Sequence, residues 1–119
     1  MRTQIKKSGD TVIVNVNGKL DYETQEPFKQ DLKNLITDAK TDSVPHKIII
    51  NMEKLEFVGS SGISNFIQTL KDFNARSESK PRYCGVRSEF KRIIKAFDED
   101  SAFDIYDTED RARKSFENN

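Results

Sequence analysis

Lys47-Ile48-Ile49-Ile50-Asn51 constrains this chain more than any other stretch, together with the turn and helix directly after it. A β-branched apolar run of this length reads as a strand buried on both faces. Past a short connection come Phe57-Val58-Gly59-Ser60-Ser61-Gly62-Ile63, and then Ile63, Phe66, Ile67, Leu70 and Phe73 at helical spacing. A buried strand feeding an amphipathic helix is half of a parallel-sheet crossover, so the chain needs a second strand beside this one. The small residues form the strand-to-helix turn and place two hydroxyls at a helix opening. Unpaired N–H groups and partial positive charge at that opening favour an anion there.

The elements on either side supply the partners. Gln4-Ile5-Lys6 reads as a short edge strand, with Ser8-Gly9-Asp10 as its turn. Thr11 to Asn17 alternates, with Val12, Val14 and Val16 on one face and Thr11, Ile13, Asn15 and Asn17 on the other. Gly18-Lys19-Leu20-Asp21 ends that strand. Thr24 is a fair N-cap, Pro27 is tolerated in a first turn, and Phe28, Leu32, Leu35, Ile36 and Ala39 mark a helix face. Glu53 to Phe57 reads as loop. Beyond a polar connector from Asn74 to Pro81, Arg82 to Val86 is a short strand. Ser88 is placed to cap a helix with Phe90, Ile93, Ile94 and Phe97 inward. Phe103 to Tyr106 is the last strand. Thr108 is placed to cap a last helix with Ala112 and Phe116 inward.

The order ββαβαβαβα predicts an α/β fold. An N-terminal antiparallel hairpin joins a mixed, otherwise mainly parallel sheet flanked by about four helices. Sites in such folds gather at the C-terminal ends of the parallel strands, where Ser60 falls. One domain spanning residues 1–119 is expected from the length.

Composition narrows the function. Lys plus Arg and Asp plus Glu both number 20, so no net charge recruits nucleic acid or an acidic membrane. No apolar run is long enough for a transmembrane helix, and MRTQIKKSGD lacks a signal-peptide core. A single Cys84 and a single His46 argue against an internal disulfide and a Cys/His metal site, and fit a reducing cytoplasm. No nucleotide loop is present. Cys84, in a strand, reads as a buried structural thiol. His46, in a loop, is a poor base for Ser60, and no cofactor and no enzyme activity are expected. The cations Lys91, Arg92 and Lys95 are offset by Glu89, Asp98, Glu99 and Asp100.

Three stretches in order resemble the STAS domain family, which includes bacterial anti-sigma factor antagonists and sulphate-transporter domains. Gly18-Lys19-Leu20-Asp21 resembles the family's Gly-x-Leu-Asp signature. Ile48 to Ile63 resembles its central strand, loop and Asp-Ser-Ser-Gly-Leu motif, and Gly85 to Ile94 resembles its third helix and approach. In the family the first serine of the pair is phosphorylated by a partner kinase that is itself the anti-sigma factor. The resemblance therefore implies that Ser60 is the phosphoacceptor. It implies that the unphosphorylated form binds an anti-sigma factor and serine kinase of the ATP-binding, histidine-kinase-like type. Asp21 corresponds to a family residue near the phosphoserine. Asp21, Tyr22, Gly59, Ser61, Gly62 and Ser64 are the expected partner-binding residues, with Tyr22 as an aromatic anchor.

The bland reading of Ser60 is an N-cap worth about 1 kcal/mol, and that of Asp21 is a turn residue bonding its own backbone. A hydroxyl can cap in one state and carry phosphate in the other. Gly59 departs from the family pattern, which has Asp at that position. The departure opens an alternative: a constitutive assembly module of a transporter or signalling complex, with no phosphoswitch.

Overall fold

The computed structural model describes residues 2–20, 25–37, 47–57, 63–76, 80–97 and 103–117. The strands are β1 (Arg2–Ser8), β2 (Thr11–Leu20), β3 (Lys47–Asn51), β4 (Leu55–Phe57), β5 (Arg82–Cys84) and β6 (Asp104–Tyr106). The helices are α1 (Gln25–Thr37), α2 (Ile63–Arg76), α3 (Ser88–Phe97) and α4 (Glu109–Glu117). The sheet runs β1-β2-β3-β5-β6, with β4 also on β2. Among the described residues, only β1 and β2 are antiparallel; β2–β3, β2–β4, β3–β5 and β5–β6 are parallel. The expected hairpin and mixed sheet are both present.

Alternation of side chains sorts the strands into two cores. On the front, Val12, Val14, Val16, Ile48, Ile50 and Tyr83 meet the inward faces of α1, α2 and α3. Phe28 of α1 stacks on Phe66 of α2 with centroids 5.2 Å apart, and Phe66 lies 5.8 Å from Phe90 of α3. The α2 residues at helical spacing (Ile63, Phe66, Ile67, Leu70 and Phe73) are all buried, as their spacing predicts. On the back, α4 lays Ala112 and Phe116 over Ile13, Ile49 and Cys84. Thr108 caps α4: its Oγ1 accepts from the Arg111 N–H at 3.2 Å, while its carbonyl accepts from Ala112.

Several local expectations are corrected. Ile13, placed on the less buried face of β2, is 2 % exposed because α4 covers it. The first strand spans all of Arg2–Ser8, since β2 offers seven register partners. The second runs on through Gly18 to Leu20, and the stretch read as loop holds β4, because each gives the other a parallel partner. β5 stops at Cys84, where Gly85 turns with φ +66°. Arg87, not Ser88, supplies the carbonyl that opens α3, bonding the Lys91 N–H at 2.8 Å. The last strand starts at Asp104 rather than Phe103, which packs edge-on to Tyr83 with centroids 5.3 Å apart.

Candidate functional site

The site is framed by the ends of β2 and β4 and the start of α2. Gly18, Lys19 and Leu20 pair in parallel with Leu55, Glu56 and Phe57. The two strands therefore run the same way and stop level, at Leu20 and Phe57. The chain continues from Leu20 into Asp21 and Tyr22, and from Phe57 into Gly59, Ser60, Ser61 and Gly62. These six residues lie outside the described residues, as does His46. Ser64 is described: it is exposed, one residue into α2.

A register shift makes this framing work. Asn15 faces Asn51, but Gly18 faces Leu55, so four steps on the β3–β4 side match three on β2. The extra residue is taken up in a tight turn, where the Leu55 N–H bonds the Met52 carbonyl at 3.1 Å. The Gly18 N–H reaches the Lys54 carbonyl at 3.0 Å, with Gly18 at φ +94°. That backbone geometry favours glycine.

Asn51 holds the turn from beneath. Its Oδ1 accepts from the Glu53 N–H at 2.9 Å, and its Nδ2 donates to Glu109 Oε1 at 3.3 Å. The Met52 N–H bonds the Cys84 carbonyl at 2.9 Å. Gly85 presses against the same turn. A Cβ at this position would lie 2.9 Å from the Glu53 backbone nitrogen and 3.0 Å from Asn51 Oδ1. Asn51, Gly85 and Glu109 thus support the turn between β3 and β4, and sequence reasoning assigned them no such role. The one available signal was an Asn closing an apolar strand, a residue type that bonds local backbone.

The first turns of α1 and α2 lie side by side. Gln25, Glu26 and Lys29 share a recess of about 80 Å³ with Asn65 and Thr69. The first turn of α2 holds no acidic residue, while that of α1 holds Glu26. Nothing on α2 itself offsets its positive end, which stabilises a nearby anion by about 0.3–1 kcal/mol.

Other titratable groups are placed for structure. Burial pushes the Cys84 thiol up to about 12, with Glu109 and Glu53 adding to the effect. A thiol this hard to ionise is a packing group. Burial also raises the Tyr83 hydroxyl far above its usual range, although its bond to Asn74 Oδ1 at 2.5 Å acts the other way. Among the described residues, no three His, Cys, Asp or Glu side chains gather as a metal site would need. No described helix is long and apolar enough to cross a membrane.

Residues 2–112 match the STAS domain family. The chain belongs to that family. Among solved structures, it resembles an anti-sigma factor antagonist from Mycobacterium paratuberculosis, with 22 % identity and a TM-score of 0.73, covering 96 % of this chain and 92 % of that one. The phosphorylated form of the Bacillus cell fate determinant SpoIIAA aligns at 18 % identity and TM-score 0.65, over 97 % of this chain and 99 % of that one. The murine Solute Carrier 26 member A9 anion transporter gives 17 % identity and TM-score 0.72, over 96 % of this chain but 19 % of that one. At these identities the likeness is one of fold. This STAS chain therefore shares its architecture with both antagonists and a transporter domain.

Proposed function

We propose that this STAS chain is an anti-sigma factor antagonist, a non-enzymatic cytoplasmic domain that binds an anti-sigma factor and serine kinase. Phosphorylation of Ser60 releases the partner. The observation that carries the reading is the level pairing of Leu20 with Phe57. It starts the Asp21–Tyr22 segment and the Gly59–Ser60 segment from neighbouring parallel strand ends, beside the first turns of α1 and α2. The strand ends that precede Asp21 and Gly59, which are 38 residues apart in sequence, thereby lie side by side. Phosphate on Ser60 adds about −1.5 to −2 charges, enough to disrupt a close-packed interface. The partner face comprises Asp21, Tyr22, Gly59, Ser61, Gly62 and Ser64.

A paired pull-down from the source cell's lysate tests this, with wild-type and Ser60→Asp baits read by mass spectrometry. A small ATP-binding kinase kept by wild type and lost by Ser60→Asp is expected. The same partners on both baits overturn the switch. That result favours the second reading, a constitutive module of a transporter or signalling complex, to which Gly59 in place of the family's Asp also points.

A further inference from the structure

β1 (Arg2–Ser8) ends the sheet: it pairs with β2 on one side, and among the described residues no strand lies on its other side. The opposite edge strand, β6, has three residues, whereas β1 leaves seven open. Edges are commonly kept short because their unpaired N–H and C=O groups invite another strand. Ser8 and Thr11 close a two-residue turn in which Gly9 has φ +64°. Residues that close such a turn exchange both backbone bonds, and bonded pairs then alternate along the ribbon. Ser8, Lys6, Gln4 and Arg2 therefore direct their backbone groups to β2. Those of Thr3, Ile5 and Lys7 point outward. Ile5 is the middle residue of the strand. It is 46 % exposed, the one exposed large hydrophobic side chain among the described residues. Its partner on β2 is Val14, so it stands on the front of the sheet, where α1 packs.

We infer that β1 pairs antiparallel with β1 of a second copy of this chain, about a two-fold axis through Ile5. That axis sets Ile5 against Ile5, and Thr3 of each copy against Lys7 of the other. Each of these pairs exchanges two backbone bonds, so every outward group of β1 is matched. A two-fold contact needs one surface that complements itself, and the outward groups of β1 do so about its central residue. The two Ile5 side chains meet on the front of the joined sheet, between the two copies of α1. Lysines on an edge strand commonly discourage pairing. Here Lys6 falls opposite Gln4, Lys7 opposite Thr3 and Arg2 opposite Ser8, so no cation directly opposes another. β1 holds no acid, so its cations still repel those of the second copy at longer range. The β2 strands of the two copies run in opposite directions, and the strand ends at Leu20 and Phe57 point away from each other. Neither Ser60 nor its partner enters the contact.

The test is sedimentation equilibrium of the full chain from about 10 µM to about 1 mM, with amide spectra over the same range. A monomer–dimer equilibrium is expected, with concentration-dependent shifts largest at Thr3, Ile5 and Lys7. Gln4→Glu puts a carboxylate opposite Lys6 twice per dimer and should tighten it roughly fivefold; Gln4→Lys should loosen it to a similar degree. Gln4 is exposed, so both variants keep the fold. Ile5→Pro removes an N–H that β2 does not use. It should abolish the dimer while circular dichroism shows the fold retained. Raising salt from about 0.1 to about 1 M should tighten the wild-type dimer, as the Debye length falls from ~10 to ~3 Å and screens the cations. A monomer throughout, a dimer whose shifts fall elsewhere, no response to the charge at Gln4, or a wild-type dimer that salt loosens overturns the inference.

Discussion

The front of the sheet is covered by three helices whose Phe28, Phe66 and Phe90 rings pack in a row; among the described residues, the back is covered by α4 alone. The front contacts are almost entirely apolar. The back adds directional ones: Arg82 Nε donates to Ser115 Oγ at 3.1 Å, the Arg82 guanidinium lies 4.3 Å from the centre of the Phe116 ring, and Asn51 bonds Glu109. Apolar burial is roughly proportional to area and indifferent to angle. Hydrogen bonds fix register. The front therefore supplies most of the stability. The back sets the position of α4 against the β3–β4 turn, and so supports the strand end from which the Ser60 segment leaves.

The largest effect should come from breaking the front. Phe66 is fully buried between two rings, and Phe66→Ala should cost about 3–5 kcal/mol in urea unfolding. Phe116→Ala, at a site 9 % exposed, should cost less. A larger loss at Phe116 would reverse the comparison.

Gly85→Ala strikes the support of the turn. The φ of +66° alone should cost about 1–3 kcal/mol for a residue with a Cβ. The close approach to the Glu53 backbone adds to that. Stability and partner binding should fall together. A variant as stable as wild type would mean that the turn yields freely.

Asn51→Leu should cost about 0.5–1.5 kcal/mol, because it removes an exposed bond to the Glu53 N–H and a half-buried one to Glu109, which keeps Arg113 at 3.9 Å. Its partner affinity should fall at temperatures where the domain stays folded. Unchanged affinity would detach the back of the sheet from the site.

The smallest effect at neutral pH concerns Cys84. Its ordinary value of 9.0 is pushed up to about 12 by burial first, then by Glu109 and Glu53. The folded state thus holds the proton where the unfolded state has lost it. Stability should be unaffected below pH 9 and should fall between pH 9 and about 12. In Cys84→Ala that alkaline slope, followed by circular dichroism, should be shallower. An unchanged slope assigns it to other groups.

Much of this fold was legible because its signals are local. The α2 stripe, the Ile48–Ile50 strand and the Thr108 cap each need only a few neighbouring residues to declare themselves. β4 was not legible. Leu55-Glu56-Phe57 is too short to show a period, and its partner lies beyond the apparent end of β2. Ile13 lies on the less apolar face of an alternating strand, and only α4, about a hundred residues later, explains its burial. At the site, Ser60 and Asp21 came from motifs. Asn51, Gly85 and Glu109 act through contacts between distant segments.

The most direct test of the central claim uses the kinase retained in the pull-down. Its affinity for wild type and Ser60→Ala is measured before and after adding ATP, with the modified residue mapped by mass spectrometry. The account predicts that both bind at first, that ATP places phosphate on Ser60 and releases wild type, and that Ser60→Ala stays bound. Release of Ser60→Ala on the same time course as wild type would contradict it.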